Sequence, residues 1–163
     1  MSTAMWRRQA APWAGFWQGA FWPVLAGLAQ AASLALPGSG EPAWGLQLAA
    51  MAMLAWLLHR AKTPGQGGWI GFVFAWAWLV GTFWWLFISM HTYGGLAAPL
   101  AVLAVLALAA FLASYYGVVS WLFCRLSPEN TTVRALFFGA IWTLAELARA
   151  RVDCAVAGVR LRE

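Results

Sequence analysis

Two groups of residues in this chain are of types and spacings that could do chemistry. The first is the run Trp84-Trp85-Leu86-Phe87-Ile88-Ser89-Met90-His91-Thr92-Tyr93-Gly94-Gly95. Gly94-Gly95 permits a tight reversal with positive φ. Trp84, Trp85 and Tyr93 carry apolar bodies with polar tips, which suits contact with lipid headgroups or acyl chains. The same residues also make an ordinary aromatic belt beside a turn. His91 has neither a nucleophile nor a second acid nearby in sequence, so spacing alone gives it no catalytic role. The second group is Trp142, Glu146 and Arg149, which share one helical face. Glu146 is an acidic residue inside an apolar segment, where an ionisable group is costly and needs protein, water or a partner. A Glu146–Arg149 pair could bind a zwitterionic headgroup, or could be a simple i, i+3 ion pair at a helix end. Cys124 and Cys154 belong to no C-x-x-C pair and have no histidine at ligand spacing, so neither a metal nor another cofactor is expected. Cys124 closes an apolar run and reads as a small buried hydrophobe. No nucleophile with a base, glycine-rich phosphate loop or carboxylate pair appears.

The elements that must position these residues are apolar helices. From Thr63 to Cys124 there is no Asp, Glu, Lys or Arg. A bilayer core of ~30 Å takes about 20 apolar residues per helix, so this stretch holds two spans. Overall, 63% of residues are hydrophobic, 9% are charged, and the mean hydropathy is +0.71. The expected fold is therefore an all-α, polytopic transmembrane bundle of about five spans, over residues 13–36, 43–58, 69–90, 98–123 and 133–148. Residues 1–149 form the membrane domain, and residues 150–163 a divergent, disordered tail. The second span is short and would sit tilted or shallow. Thr132 is the expected N-cap of the last helix.

The net charge is +5 and the isoelectric point about 10.0. That balance does not mean nucleic acid. The cations come in ones and twos at span boundaries rather than in a stripe with stacking partners. Arg7 and Arg8, Arg60 and Lys62, and Arg125 and Arg134 fall on one side if the N-terminus is cytoplasmic. Arg149 and Arg151 then fall on the outer side, against that rule. Arg7 and Arg8 before an apolar run also suit a signal peptide, but a retained first helix fits the length of the run and the spans that follow.

At the two candidate places the chain resembles bacterial apolipoprotein N-acyltransferases. Trp84-Trp85-Leu86-Phe87-Ile88-Ser89 followed by His91-Thr92-Tyr93-Gly94-Gly95-Leu96-Ala97-Ala98-Pro99-Leu100 is similar to that family's third-span end and next loop. Leu108-Ala109-Ala110-Phe111-Leu112-Ala113-Ser114-Tyr115 matches its fourth span in style. Trp142-Thr143-Leu144-Ala145-Glu146-Leu147-Ala148-Arg149 resembles its W-x-x-x-E-x-x-R segment. The resemblance covers residues 22–149, most specifically from Gly68.

It implies a multi-pass protein of the bacterial inner membrane that acts in lipoprotein maturation. Its partners would be a phospholipid acyl donor and a diacylated lipoprotein, whose N-terminal cysteine receives the acyl chain through a thioester enzyme. The family's catalytic Glu, Lys and Cys lie in a nitrilase-like domain that these residues do not include. Neither Cys124 nor Cys154 stands in that motif. The resemblance thus implies a membrane portion that is inactive alone. Trp84, Trp85, His91, Tyr93, Gly94, Gly95, Trp142, Glu146 and Arg149 would contact lipid rather than make bonds.

After Arg149 the family pattern is expected to stop. Val152-Asp153 and Val159-Arg160-Leu161 can be encoded by codons that read Trp-Thr and Phe-Gly-Tyr one base later, so a shifted reading frame near codon 150 is expected. The alternative is a small stand-alone membrane transport or lipid-binding protein. That reading needs polar residues at mid-membrane depth, and the third and fourth segments offer few.

Overall fold

The computed structural model describes the backbone of residues 12–34, 41–128 and 130–160, with side chains at 19–34, 41–128, 130 and 132–147. All regular structure among the described residues is helical. Helices α1 (Pro12–Leu34), α2 (Trp44–Arg60), α3 (Pro64–Thr82) and α4 (Trp84–Ile88) are followed by a single π-helical turn, Ser89–Tyr93. Then come α5 (Ala98–Leu126) and α6 (Thr131–Arg160). Each of the five expected apolar segments is helical where it is described.

The third segment is not one straight span. It breaks at Phe83, and its two parts meet at 49°. Thr82 Oγ1 donates to the Trp78 carbonyl at 2.9 Å. Such back-bonding competes for a main-chain acceptor and bends helices. Phe83 then leaves the helical region, with ψ of 10°.

Helix starts follow local chemistry. Thr63 Oγ1 accepts from the Gln66 amide at 3.2 Å, Gln66 Oε1 accepts from the Lys62 amide at 2.9 Å, and Pro64 occupies the first turn of α3. This is close to a capping box, in which the first-turn glutamine reaches back to an amide that no helical carbonyl can serve. At α6 the expected cap Thr132 is displaced by Asn130. Its Oδ1 accepts from the amides of Thr132 and Val133, at 3.0 and 3.4 Å. Asparagine is the stronger N-cap because its carbonyl reaches the N2 and N3 amides readily.

The expected disorder of 150–163 does not hold for its described part, since α6 stays helical through Arg160. Alanine and arginine are strong helix formers, and no proline interrupts them. Residues 161–163 lie outside the described residues, as do Arg7 and Arg8.

The core is built on α3 lying antiparallel to α5, with α1 packed on a different face of α3. Glycines let the backbones approach. A Cβ at Gly71 would overlap Ser120 Oγ, one at Gly67 would overlap Cys124 Sγ, and one at Gly68 would stand 3.2 Å from the Gly117 carbonyl. On the other side, a Cβ at Gly27 of α1 would run into the Phe74 carbonyl. Phe74, Tyr116 and Leu54 fill the centre with no exposed surface. Cys124 is half-buried against this seam, and its thiol points at the Leu58 carbonyl 3.7 Å away. That agrees with the expected packing role.

Candidate functional site

The helical break places the first group. After the bend at Phe83, α4 carries Trp84 and Trp85 with more than half of each side chain exposed. The π turn then widens the coil, with the Gly94 amide donating to the Ser89 carbonyl at 3.0 Å. A Cβ at Gly94 would come 2.8 Å from the Met90 carbonyl, so the turn closes on itself there. Gly95 has φ of 65°, the left-handed region that glycine enters without a Cβ clash. Through it the chain reverses, and the Leu96 amide returns to the Met90 carbonyl at 3.1 Å. Tyr93 projects from the turn, 86% exposed.

His91 is fixed on this scaffold from two sides. Its ring stacks on Phe87, with centroids 5.6 Å apart. Its Nδ1 stands 2.8 Å from the Leu96 carbonyl oxygen. A carbonyl only accepts, so Nδ1 carries a hydrogen and donates it. The loop therefore holds the imidazole in one orientation among exposed aromatic rings.

The second group forms around a residue that pattern reading missed. Tyr116, fully buried on α5, donates from its hydroxyl to Glu146 Oε1 at 2.6 Å. Its ring lies against Trp142 at 5.2 Å and Trp78 at 5.7 Å. Trp142 also meets Phe74 edge-on at 6.2 Å and Phe138 at 5.8 Å. The neighbouring Tyr115 donates to the Ala145 carbonyl at 3.2 Å. The expected juxtaposition of Trp142 with Glu146 thus exists, joined through Tyr116. The Arg149 side chain lies outside the described residues. The signal that could have found Tyr116 is the pair Tyr115-Tyr116, two phenols in an otherwise apolar span.

The two groups are held by different parts of α5. The His91 loop is anchored just before Ala98, and the Glu146 cluster at Tyr116, about 27 Å of helical rise away. Among the described residues, no three His, Cys, Asp or Glu side chains are grouped to hold a metal ion.

Fold and site together define an all-helical protein with exposed aromatic residues at a helical break. Among the described residues one helix, Ala98–Leu126, is long and apolar enough to cross a membrane, and the bent pair Pro64–Thr82 and Trp84–Tyr93 makes a second if counted as one span.

Residues 26–156 match the family model described as the apolipoprotein N-acyltransferase N-terminal domain. The chain belongs to this family. The match runs past Arg149, where the sequence reading put the departure from the family pattern. An apolipoprotein N-acyltransferase from Verminephrobacter eiseniae is 64% identical over 132 residues, which cover 78% of this chain and 25% of that protein. Those from Ralstonia nicotianae and Pseudomonas putida are 38% identical over 109 residues and 35% over 131. These alignments cover 65% and 78% of this chain, and 21% and 26% of the relatives. The chain spans about a quarter of the length of these relatives.

Proposed function

We propose that these residues are the membrane portion of an apolipoprotein N-acyltransferase in the bacterial inner membrane. In this reading α1, α2, the bent α3–α4 pair, α5 and α6 make about five crossings, with the N-terminus cytoplasmic. The whole enzyme transfers an acyl chain from a phospholipid to the N-terminal cysteine of a diacylated lipoprotein. These 163 residues alone do not carry out the transfer. Their part is to hold lipid: Trp84, Trp85, His91, Tyr93, Gly94 and Gly95 contact it at the helical break, and Trp142, Glu146 and Arg149 along α6.

The observation that carries the reading beyond family membership is the surface of α5. Only 33% of its most apolar stretch is buried. Leu103, Phe111 and Val118 are each more than half exposed. The core helix of a water-soluble protein would turn such residues inward, and a bilayer removes the need. The exposed Trp84, Trp85 and Tyr93 at the break suit the headgroup level.

Two measurements test this. The chain in mild detergent is given a phospholipid and a diacylated lipopeptide, and N-acylation is followed by mass spectrometry; product formed by the chain alone would overturn the division of labour. A photoreactive phospholipid is then crosslinked to the chain in vesicles. Labelling at Trp84, Trp85 and Tyr93 is expected, and labelling confined to other segments would refute the lipid-contact assignment.

A further inference from the structure

At the end of the bundle opposite the His91 loop, α2 stops, α3 begins and the α5–α6 connection crosses over them. A cavity of about 90 Å³ opens there, lined in part by His59, Ser127 and Arg134. We propose that this cavity is a binding site for a phosphate-type oxyanion, with Arg134 as its principal ligand. The proposal does not depend on acyl transfer and concerns a different part of the molecule.

Arg134 is oriented by two hydrogen bonds. Its Nε donates to the Pro128 carbonyl at 3.1 Å. Its Nη1 stands 2.6 Å from His59 Nδ1. A guanidinium has only hydrogens to give, so Nδ1 is the acceptor and His59 is the neutral Nε2–H tautomer. Both of these partners are uncharged. They orient the guanidinium and use two of its five N–H donors without neutralising it. The remaining donors suit an oxyanion, which guanidinium binds with two parallel hydrogen bonds.

The second observation is Ser127. Its hydroxyl is buried and has no hydrogen-bond partner among the described residues. A buried hydroxyl left unmade is costly, and such groups are normally satisfied by protein, water or ligand. Ser127 lines the same cavity as Arg134 and so offers a second donor to one occupant. With ~30 Å³ per water in the liquid, the cavity has room for about three water-sized groups, enough for three of a phosphate's four oxygens.

The surroundings favour an anion. Arg60 and Lys62 follow His59, and Arg125 follows Cys124. Arg60 lies over the Trp56 ring at 4.5 Å and Arg125 over the Trp121 ring at 5.1 Å. Between Glu41 and Glu129 the sequence has no acidic residue. The α6 N-terminus is already capped by Asn130, so side chains rather than a bare helix end make the site.

The phosphate could come from a phospholipid headgroup or be free in solution, and the test separates the two. Thermal unfolding of the full chain in mild detergent is followed against inorganic phosphate, and separately against short-chain phosphatidic acid, with chloride at matched ionic strength as the control. Saturable stabilisation by at least one of the two probes is expected. A much lower half-saturation for phosphatidic acid would mean a headgroup site, and equal values a site for free phosphate. Arg134→Gln should weaken binding by about 10- to 100-fold, the equivalent of one charge-assisted hydrogen bond. Ser127→Ala, a smaller change to the fold, should weaken it by about 3- to 10-fold. No stabilisation of the unmodified chain by either probe would overturn the proposal. So would unchanged binding in Arg134→Gln or, where that variant does not fold, in both Arg134→Lys and Ser127→Ala. Glu129→Gln tests the carboxylate nearest in sequence: binding that appears only in this variant would mean that Glu129 holds the arginine, and the proposal would fall.

Discussion

Replacing Gly71 by alanine tests the packing on which both candidate groups depend. A Cβ there would overlap both Ser120 Oγ and Ser120 Cβ and would lie 3.1 Å from the Tyr116 carbonyl. The hydroxyl can rotate away, but the serine Cβ and the carbonyl are fixed to the α5 backbone. Relief requires α3 and α5 to move apart, which loosens Tyr116 and Phe74 together. Overpacking of this kind costs about 1–3 kcal/mol. Removing a helical glycine returns up to ~1 kcal/mol, which leaves a net loss of about 0–2 kcal/mol, against a gain at an uncrowded glycine. Ser120→Gly deletes both overlapping side-chain atoms and leaves only the carbonyl contact. The double variant Gly71→Ala/Ser120→Gly should therefore be more stable than the sum of the single changes by about 1–2 kcal/mol. Gly27→Ala offers no such rescue, because its obstacle is the Phe74 backbone carbonyl. Gly139, with nothing within 4 Å of its Cβ position, is the control, and Gly139→Ala should stabilise by up to ~1 kcal/mol. The assay is unfolding in mild detergent by added denaturing detergent, read by circular dichroism. If Gly71→Ala behaves like Gly139→Ala, or if Ser120→Gly gives no rescue, the close α3–α5 approach is wrong.

Three further outcomes are expected in the same assay or by spectroscopy. Tyr116→Phe keeps the ring and removes the bond to Glu146, costing about 1–3 kcal/mol; the loss should shrink when Glu146→Ala is already present. Gly95→Ala forces a Cβ into the left-handed region and should cost about 1–2 kcal/mol, with the His91 ring resonances in NMR shifting as the Leu96 contact changes. Asn130→Ala removes the α6 cap and should cost about 0.5–2 kcal/mol, whereas Thr132→Ala should cost less.

The helical segments were legible because apolar length in a chain of low charge leaves few alternatives to helices. The Gly94-Gly95 reversal was legible too, since glycine pairs mark such turns and Gly95 does take positive φ. The break at Phe83 was not. It depends on the Thr82 hydroxyl choosing the Trp78 carbonyl, a choice that hydropathy does not encode. Trp142 and Glu146 could be placed on one face from their spacing, but their link is Tyr116, thirty residues earlier on another helix. Local periodicity carries no information about which buried phenol will meet which carboxylate. The glycines that matter most for packing, Gly67 and Gly71, have the spacing of a close-contact motif, yet they also sit beside a turn-like Gly65-Gln66-Gly67-Gly68 run. In the structure that run is the first turn of α3, entered through the Thr63 and Pro64 start.

The glycine seam between α3 and α5 also bears on how the molecule assembles. The two helices are near neighbours in the chain, and their interface needs no side chain from α1, α2 or α6 to bring the backbones together. A pair of this kind can form as a cooperative unit before the rest docks. Its closest contacts are between main chain and small side chains, so they are directional enough to fix register. Phe74, Trp78 and Tyr116 stand ready on this pair, and α6 closes the Glu146 cluster only when it arrives.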